Sequence, residues 1–162
     1  MSYPPPIYHG DSGEVSASVV PRDVEPAVVY PNGNKVFYLA QGTGTQGTFG
    51  LYRWEFAGPE SGPDAHFHRT VTESFYVLEG TVTIYDGTDW VKCHAGDFAH
   101  VPAGGIHGFR NQDGAAKMLL HFAPGAPREA YFEGLVEIAE GRWKPSETEL
   151  RAFFEKHDNI YV

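Results

Sequence analysis

Four side chains able to ligate a transition metal fall in two short stretches of this sequence, His66, His68 and Glu73 in the first and His107 in the second. Three imidazoles and one carboxylate, gathered by a folded sheet, would hold one divalent ion. The same stretches carry turn residues, Gly80 after the first and Gly96, Pro102, Gly104 and Asn111 around the second. Such residues punctuate strands, so the ligand candidates are predicted to sit on short strands between tight turns.

Strand geometry makes this reading specific. Side chains alternate across a strand, so His66 and His68 share a face. Glu73 lies five residues after His68, an odd separation that a straight strand would turn the opposite way. A bend or bulge within residues 69–72 must therefore reset the parity. With Glu73 inward, Phe75 and Val77 follow on its face, and Phe109 shares the face of His107, which arrives from a distant strand placed by the turn at Pro102, Gly104 and Gly105. Phe75, Phe109 and His100 are the candidate pocket residues, and Glu73 is the candidate catalytic group. His121 has the parity of Lys117 and is expected to face away. His9, His94 and His157 read as surface positions and Cys93 as a strand residue.

The elements that must position these groups are short. Residues 1–34, with Pro4, Pro5, Pro6, Pro21, Pro26 and Pro31, cannot hold a long helix or a central strand and read as an arm on the body or on a partner subunit. From 35 to 125 the chain alternates β-formers with Gly-rich turns: Val36 to Leu39, Thr48 to Phe56, Glu73 to Glu79, Thr81 to Tyr85, Asp89 to His94, Phe98 to Val101, His107 to Arg110 and Lys117 to Phe122. Asp86-Gly87 between two such runs is a hairpin signal. Many short strands with tight turns predict an all-β sandwich or barrel. Residues 126–162 change period. Pro127 can open a helix bearing Tyr131, Phe132, Leu135, Val136 and Ala139 on one side, and Gly141 can end it. Ser146 with Glu149 is a capping box for a second helix with Leu150, Phe153 and Phe154 on its apolar side. Both helices are expected to pack on the barrel end or an adjoining subunit and limit water access.

Composition bounds the function classes. A length of 162 residues suits one domain, and 41% hydrophobic residues suffice for a core. A net charge of -9 without a Lys/Arg cluster argues against a nucleic-acid partner. No apolar run is long enough to cross a bilayer. Cys93 is the only cysteine, and the first residues show neither a basic n-region nor a long apolar core, so a cytoplasmic, unprocessed protein is expected. Edge strands with hydrophobic faces predict a homodimer.

The stretch His66-x-His68-x4-Glu73-x6-Gly80 resembles the first cupin motif, and Gly96-x5-Pro102-x-Gly104-x2-His107-x3-Asn111 the second. The family's opening glycine, six residues before the first histidine, is Glu60 here, with Gly62 nearby. The resemblance implies a cupin jelly-roll β-barrel with an N-terminal arm and a short C-terminal helical segment. It implies that His66, His68, Glu73 and His107 ligate one divalent ion, of Fe, Mn, Ni, Co, Cu or Zn, and that Gly80, Gly96, Asp97, Pro102, Gly104 and Asn111 are structural. Arm, single barrel and helical tail are similar to the quercetin 2,3-dioxygenase-like group. The activity this implies is insertion of dioxygen into a small aromatic, flavonol-like or enolised diketone-like substrate, with Glu73 both ligating and taking a substrate proton. Two alternatives remain open: an isomerase, cyclase or hydrolase using the ion as a Lewis acid, and a small-molecule binding module without turnover.

Overall fold

The computed structural model describes residues 2–112 and 114–162. Its strands are β1 (Val28–Val29), β2 (Lys35–Ala40), β3 (Gly50–Phe56), β4 (His66–Phe67), β5 (Thr72–Glu79), β6 (Thr81–Tyr85), β7 (Trp90–His94), β8 (Phe98–Val101), β9 (Gly108–Arg110) and β10 (Ala116–Ala123). Helices α1 (Glu129–Ala139) and α2 (Glu147–Lys156) follow, and β11 (Ile160–Tyr161) ends the ordered elements. A six-stranded sheet runs β1-β2-β3-β10-β5-β8, a three-stranded sheet β7-β6-β9, and β11 pairs with β4. All pairings are antiparallel.

Alternation along the strands builds the core. In β3 and β10 every second residue is buried, so Tyr52, Trp54 and Phe56 meet Met118, Leu120 and Phe122 on one face. Phe109 of β9 crosses from the smaller sheet to within 5.4 Å of Phe75, 6.1 Å of Trp54 and 6.3 Å of Phe56, ring centroid to ring centroid. Two antiparallel sheets around an aromatic core form the expected all-β architecture. Gly80, at φ 72°, carries the chain from one sheet to the other, where an added Cβ would stand 2.5 Å from the Ala115 carbonyl. The Asp86-Gly87 turn closes the β6–β7 hairpin. No helix among the described residues is long and apolar enough to cross a membrane.

The ends of the chain depart from expectation in three places. Val28 and Val29, within the expected arm, add a strand to the six-stranded sheet; before them the side chains of Tyr3, Ile7, Val15 and Val19 are exposed. Helix α1 starts at Glu129 with Arg128 as its N-cap, so Pro127 precedes the helix instead of opening it. The tail is not helical to its end. After the capping box of Ser146 and Glu149 has launched α2, Asp158 adopts φ 57°, and the reversed chain pairs Ile160 with Phe67 and Tyr161 with His66.

Helix α1 covers the barrel, with Phe132 at 5.2 Å from Tyr52 and 5.9 Å from Trp54. Burying that side chain contributes about 1.5–3 kcal/mol. Helix α2 lies outside α1 and stacks Phe153 on Tyr131 at 5.6 Å, so the water-excluding element is chiefly α1.

The loop before β4 has Glu60 where the resemblance would place a glycine, and it is closed at Gly62 and Asn111. Gly62, at φ 150°, lies where a Cβ would fall 1.8 Å from the Phe109 carbonyl, and Asn111 ties down the preceding residues by accepting from the Ser61 amide at 3.0 Å and donating to Gly58 and Pro59 carbonyls. Gly62→Ala is therefore expected to cost more than twice as much stability as Gly96→Ala, where φ is also positive but the space is open and the cost is about 1–2 kcal/mol. Urea denaturation of both variants checks this; equal losses would contradict the close backbone approach.

Candidate metal centre

His66 on β4 and His107 just before β9 are locked together by two backbone hydrogen bonds, His66 N to His107 O at 2.9 Å and His107 N to His66 O at 2.8 Å. His68 follows on the same face as His66. The predicted parity reset occurs at the bend of Arg69 and Thr70, between β4 and β5. Asp158 holds that bend. Its carboxylate accepts from the Arg69 amide at 2.9 Å, the Thr70 amide at 2.8 Å and the Thr70 hydroxyl at 2.7 Å. Beyond the bend, Glu73, Phe75 and Val77 turn inward.

One donor atom from each of His66, His68, Glu73 and His107 can be chosen so that all lie within 4.8 Å of one another, and all four residues are buried. Each imidazole is oriented by a carbonyl oxygen: Asp64 O for His66 Nδ1 at 2.9 Å, Asp158 O for His68 Nδ1 at 2.5 Å, and Gly105 O for His107 Nδ1 at 2.9 Å. A carbonyl only accepts, so each Nδ1 carries the proton and each neutral ring presents an Nε2 lone pair to the centre. Nε2 of His68 and of His107 then face Glu73 Oε2 at 3.0 and 2.8 Å. Lone pair against carboxylate is repulsive unless a proton or a metal cation lies between them. This donor set fits a divalent ion with imidazole and carboxylate preference, His66, His68, Glu73 and His107 being the residues to hold it.

Protons compete with an ion for the same position. Burial pushes the Glu73 carboxyl up, but when protons on the His107 and His68 Nε2 atoms bridge to it, their hydrogen bonds and charge outweigh burial and hold it well below the usual carboxylate range. Burial lowers His107, yet the bond and charge of Glu73 raise it overall. His66 is pushed down to about 4, by burial first and by the neighbouring His107 charge second. It thus remains neutral and able to ligate far below neutral pH.

The centre opens on a cavity of about 300 Å³ whose wall includes His66, Glu73, Trp54, Phe109, Phe132 and Arg128. Phe109 lines the cavity. Phe75 instead backs His107, ring centroids 6.0 Å apart, and does not line the cavity. His100 is a correction: β8 turns it to the outer face of the sheet, where it is exposed and 3.0 Å from the Ser74 hydroxyl. Its inward neighbours are Ala99 and Val101. His121 lies on that outer face too, stacked on Phe49. Asp158, Tyr161 and Arg128 are site residues that motif reading missed. Tyr161 sits on His66, with rings 5.4 Å apart. The available signal was Ile160-Tyr161-Val162, a β-forming run directly after a helix end.

Residues 52–123, from within β3 to the end of β10, match the family model of the cupin domain and contain all four metal-ligand candidates. Within residues 52–123 the chain is therefore similar to the cupin domain. Over 95 residues it is 35% identical to the quercetin 2,3-dioxygenase of Bacillus subtilis (strain 168), a match covering 59% of this chain and 28% of that protein. The matched stretch thus spans little more than a quarter of its curated relative. The solved structure of KdgF from Halomonas sp. has a TM-score of 0.56 at 15% identity, covering 65% of this chain and 92% of that one. The polyketide cyclase RemF from Streptomyces resistomycificus has a TM-score of 0.55 at 23% identity, over 67% and 80% of the respective chains. At these identities both speak to the fold.

Two outcomes follow from the geometry. Asp158→Ala releases both the bend and the turn that brings the Asp158 carbonyl to His68, so zinc affinity should fall about 10–100-fold with the fold retained; competition titration with circular dichroism checks it, and unchanged affinity would contradict the role. Acidification should release the ion, because a protonated imidazole cannot ligate. His107 takes up its proton first and His66 near pH 4, each further unit costing roughly tenfold per proton. Full occupancy after dialysis at pH 4 would argue against imidazole ligation.

Proposed function

We propose that this chain is a metal-dependent dioxygenase acting on a flavonol-like or enolised diketone-like small molecule. The observation that carries the reading is that a donor set of three imidazoles and one carboxylate meets an aromatic cavity, with His66 and Glu73 belonging to both. Structural metal sites are closed by protein, whereas sites that do chemistry keep a face open to substrate. The reaction class comes from the relative named quercetin 2,3-dioxygenase.

A bound divalent ion supplies a Lewis acid at the cavity wall that polarises substrate oxygens. The protein supplies the rest. His66, His68 and His107 hold their Nε2 lone pairs on one point because each Nδ1 is committed to a carbonyl. Glu73 is ionised and faces the cavity, so it is the group that takes the proton of an enolic or phenolic hydroxyl. Its strongly depressed carboxyl is a weak base, which requires that hydroxyl to be acidified on binding. Trp54, Phe109 and Phe132 stack the substrate and exclude water. The substrate itself is the reductant, both oxygen atoms ending in the product.

Protein loaded in turn with iron, manganese, nickel, cobalt or copper should take up dioxygen when flavonols or enolisable diketones are added. Glu73→Gln should slow uptake about 10²-fold or more. Silence with every metal across a broad substrate panel would end the proposal, and turnover that persists without dioxygen would assign isomerase, cyclase or hydrolase chemistry instead.

A further inference from the structure

The cavity beside the centre carries a positive charge, Arg128, that no acidic side chain among the described residues pairs with. Arg128, the N-cap of α1, is 4% exposed. Its Nη1 donates to the His157 carbonyl at 2.6 Å and its Nη2 to Asn159 Oδ1 at 2.8 Å, both uncharged acceptors. Its Nε is buried without a partner. The rings of Tyr131, Phe122 and Phe132 surround the guanidinium at 4.4, 4.9 and 5.9 Å. Cation–π contact offsets part of the desolvation of a buried cation, but it is no substitute for a counter-charge. The neighbouring Glu129 is engaged elsewhere, its Oε1 accepting from the Tyr52 hydroxyl at 2.6 Å.

Trp54, another residue of the same cavity wall, has a buried Nε1 with no acceptor among the described residues. Both orphan atoms belong to residues of this wall and are donors, so a missing partner is an acceptor, and the unpaired cation requires that acceptor to be negative. Phe122 stands between the two halves of the site, with its ring 6.1 Å from that of His68 and 4.9 Å from the guanidinium. The charge therefore lies one aromatic ring from the metal centre. A role in fastening the tail through His157 and Asn159 employs only the two Nη atoms and explains neither the idle Nε nor the absent counter-charge.

We propose that Arg128 is a specificity-determining residue that binds a carboxylate of the substrate, so that the physiological ligand is a small aromatic acid. Its ring packs among Trp54, Phe109 and Phe132, its carboxylate pairs with Arg128, and its hydroxyl or enol oxygen faces His66 and Glu73. A cavity of about 300 Å³, at the lower end of the small-molecule range, suits one ring with a short acidic arm. Charge agrees: a divalent ion with Glu73 keeps one positive charge and Arg128 adds another, which a ligand with one or two anionic oxygens balances. This narrows the proposed substrates to the smaller, enolisable ones and sets aside flavonols, and it rests on the reading of the centre as a catalytic metal site.

The test is calorimetric titration of the full chain, zinc-loaded and zinc-free, with benzoate, 4-hydroxybenzoate and phenylpyruvate, each against its neutral amide. At least one acid should bind tenfold or more tightly than its amide, in the zinc-free protein as well, which separates Arg128 from the metal as the cause. Arg128→Met should abolish the preference and Arg128→Lys should retain most of it. Amides as tight as acids across the panel, no measurable binding of any acid, or a preference undiminished in Arg128→Met would each overturn the proposal. Zinc stoichiometry on the same samples distinguishes the failures: zinc bound without acid preference removes the role of Arg128 alone, whereas zinc not bound at the histidine cluster removes the catalytic reading and leaves the acid preference to be judged on the zinc-free chain.

Discussion

A carboxylate buried at the centre of a barrel is the constraint around which this protein is arranged. Glu73 is 3% exposed, and an isolated charge there would be expelled or neutralised. It stays ionised where a cation, either a proton on Nε2 or a metal ion, lies between one of its oxygens and the His68 and His107 rings that converge on it. Those imidazoles are in turn fixed by carbonyls that oblige them to present lone pairs inward. A cation of charge two would resolve the resulting excess of electron density, at a position that these backbone hydrogen bonds prepare.

Three separate parts of the chain deliver that geometry. Antiparallel bonding of His66 with His107 sets the distance between the two motifs. The bend at Arg69 and Thr70 turns Glu73 inward, and the C-terminal segment holds that bend through Asp158. Strand β11 then lays Tyr161 over His66. The tail is thus part of the metal centre and of the cavity, since Arg128 reaches back to His157 and Asn159. Loosening the tail would therefore disturb ligand orientation and cavity charge together, linking the dynamics of the last residues to the chemistry.

Much of the centre was legible in the sequence because strand alternation is strict. His66 and His68 had to share a face, Glu73 had to be turned by a bend, and His121 had to point out with Lys117. The turns were legible from Gly80, Asp86-Gly87 and the capping box at Ser146. What escaped were contacts between residues far apart in the chain that carry no local signature. Asp158 lies ninety residues from His68, and only the folded tail shows that its carbonyl and carboxylate serve the site. His100 was ambiguous because parity in a four-residue strand depends on where that strand begins. Arg128 carries no local signature in the sequence, and its significance comes from its burial without a counter-charge among the described residues.

The most direct measurement is titration of metal-free protein with cobalt(II), followed by its visible spectrum, beside the same titration of His66→Ala and His107→Ala. One tight equivalent per chain, with ligand-field bands from nitrogen and oxygen donors in the unmodified protein and loss of those bands in both variants, is the expected result. Absence of binding, or a spectrum and affinity untouched by either substitution, would contradict a metal centre built on His66, His68, Glu73 and His107.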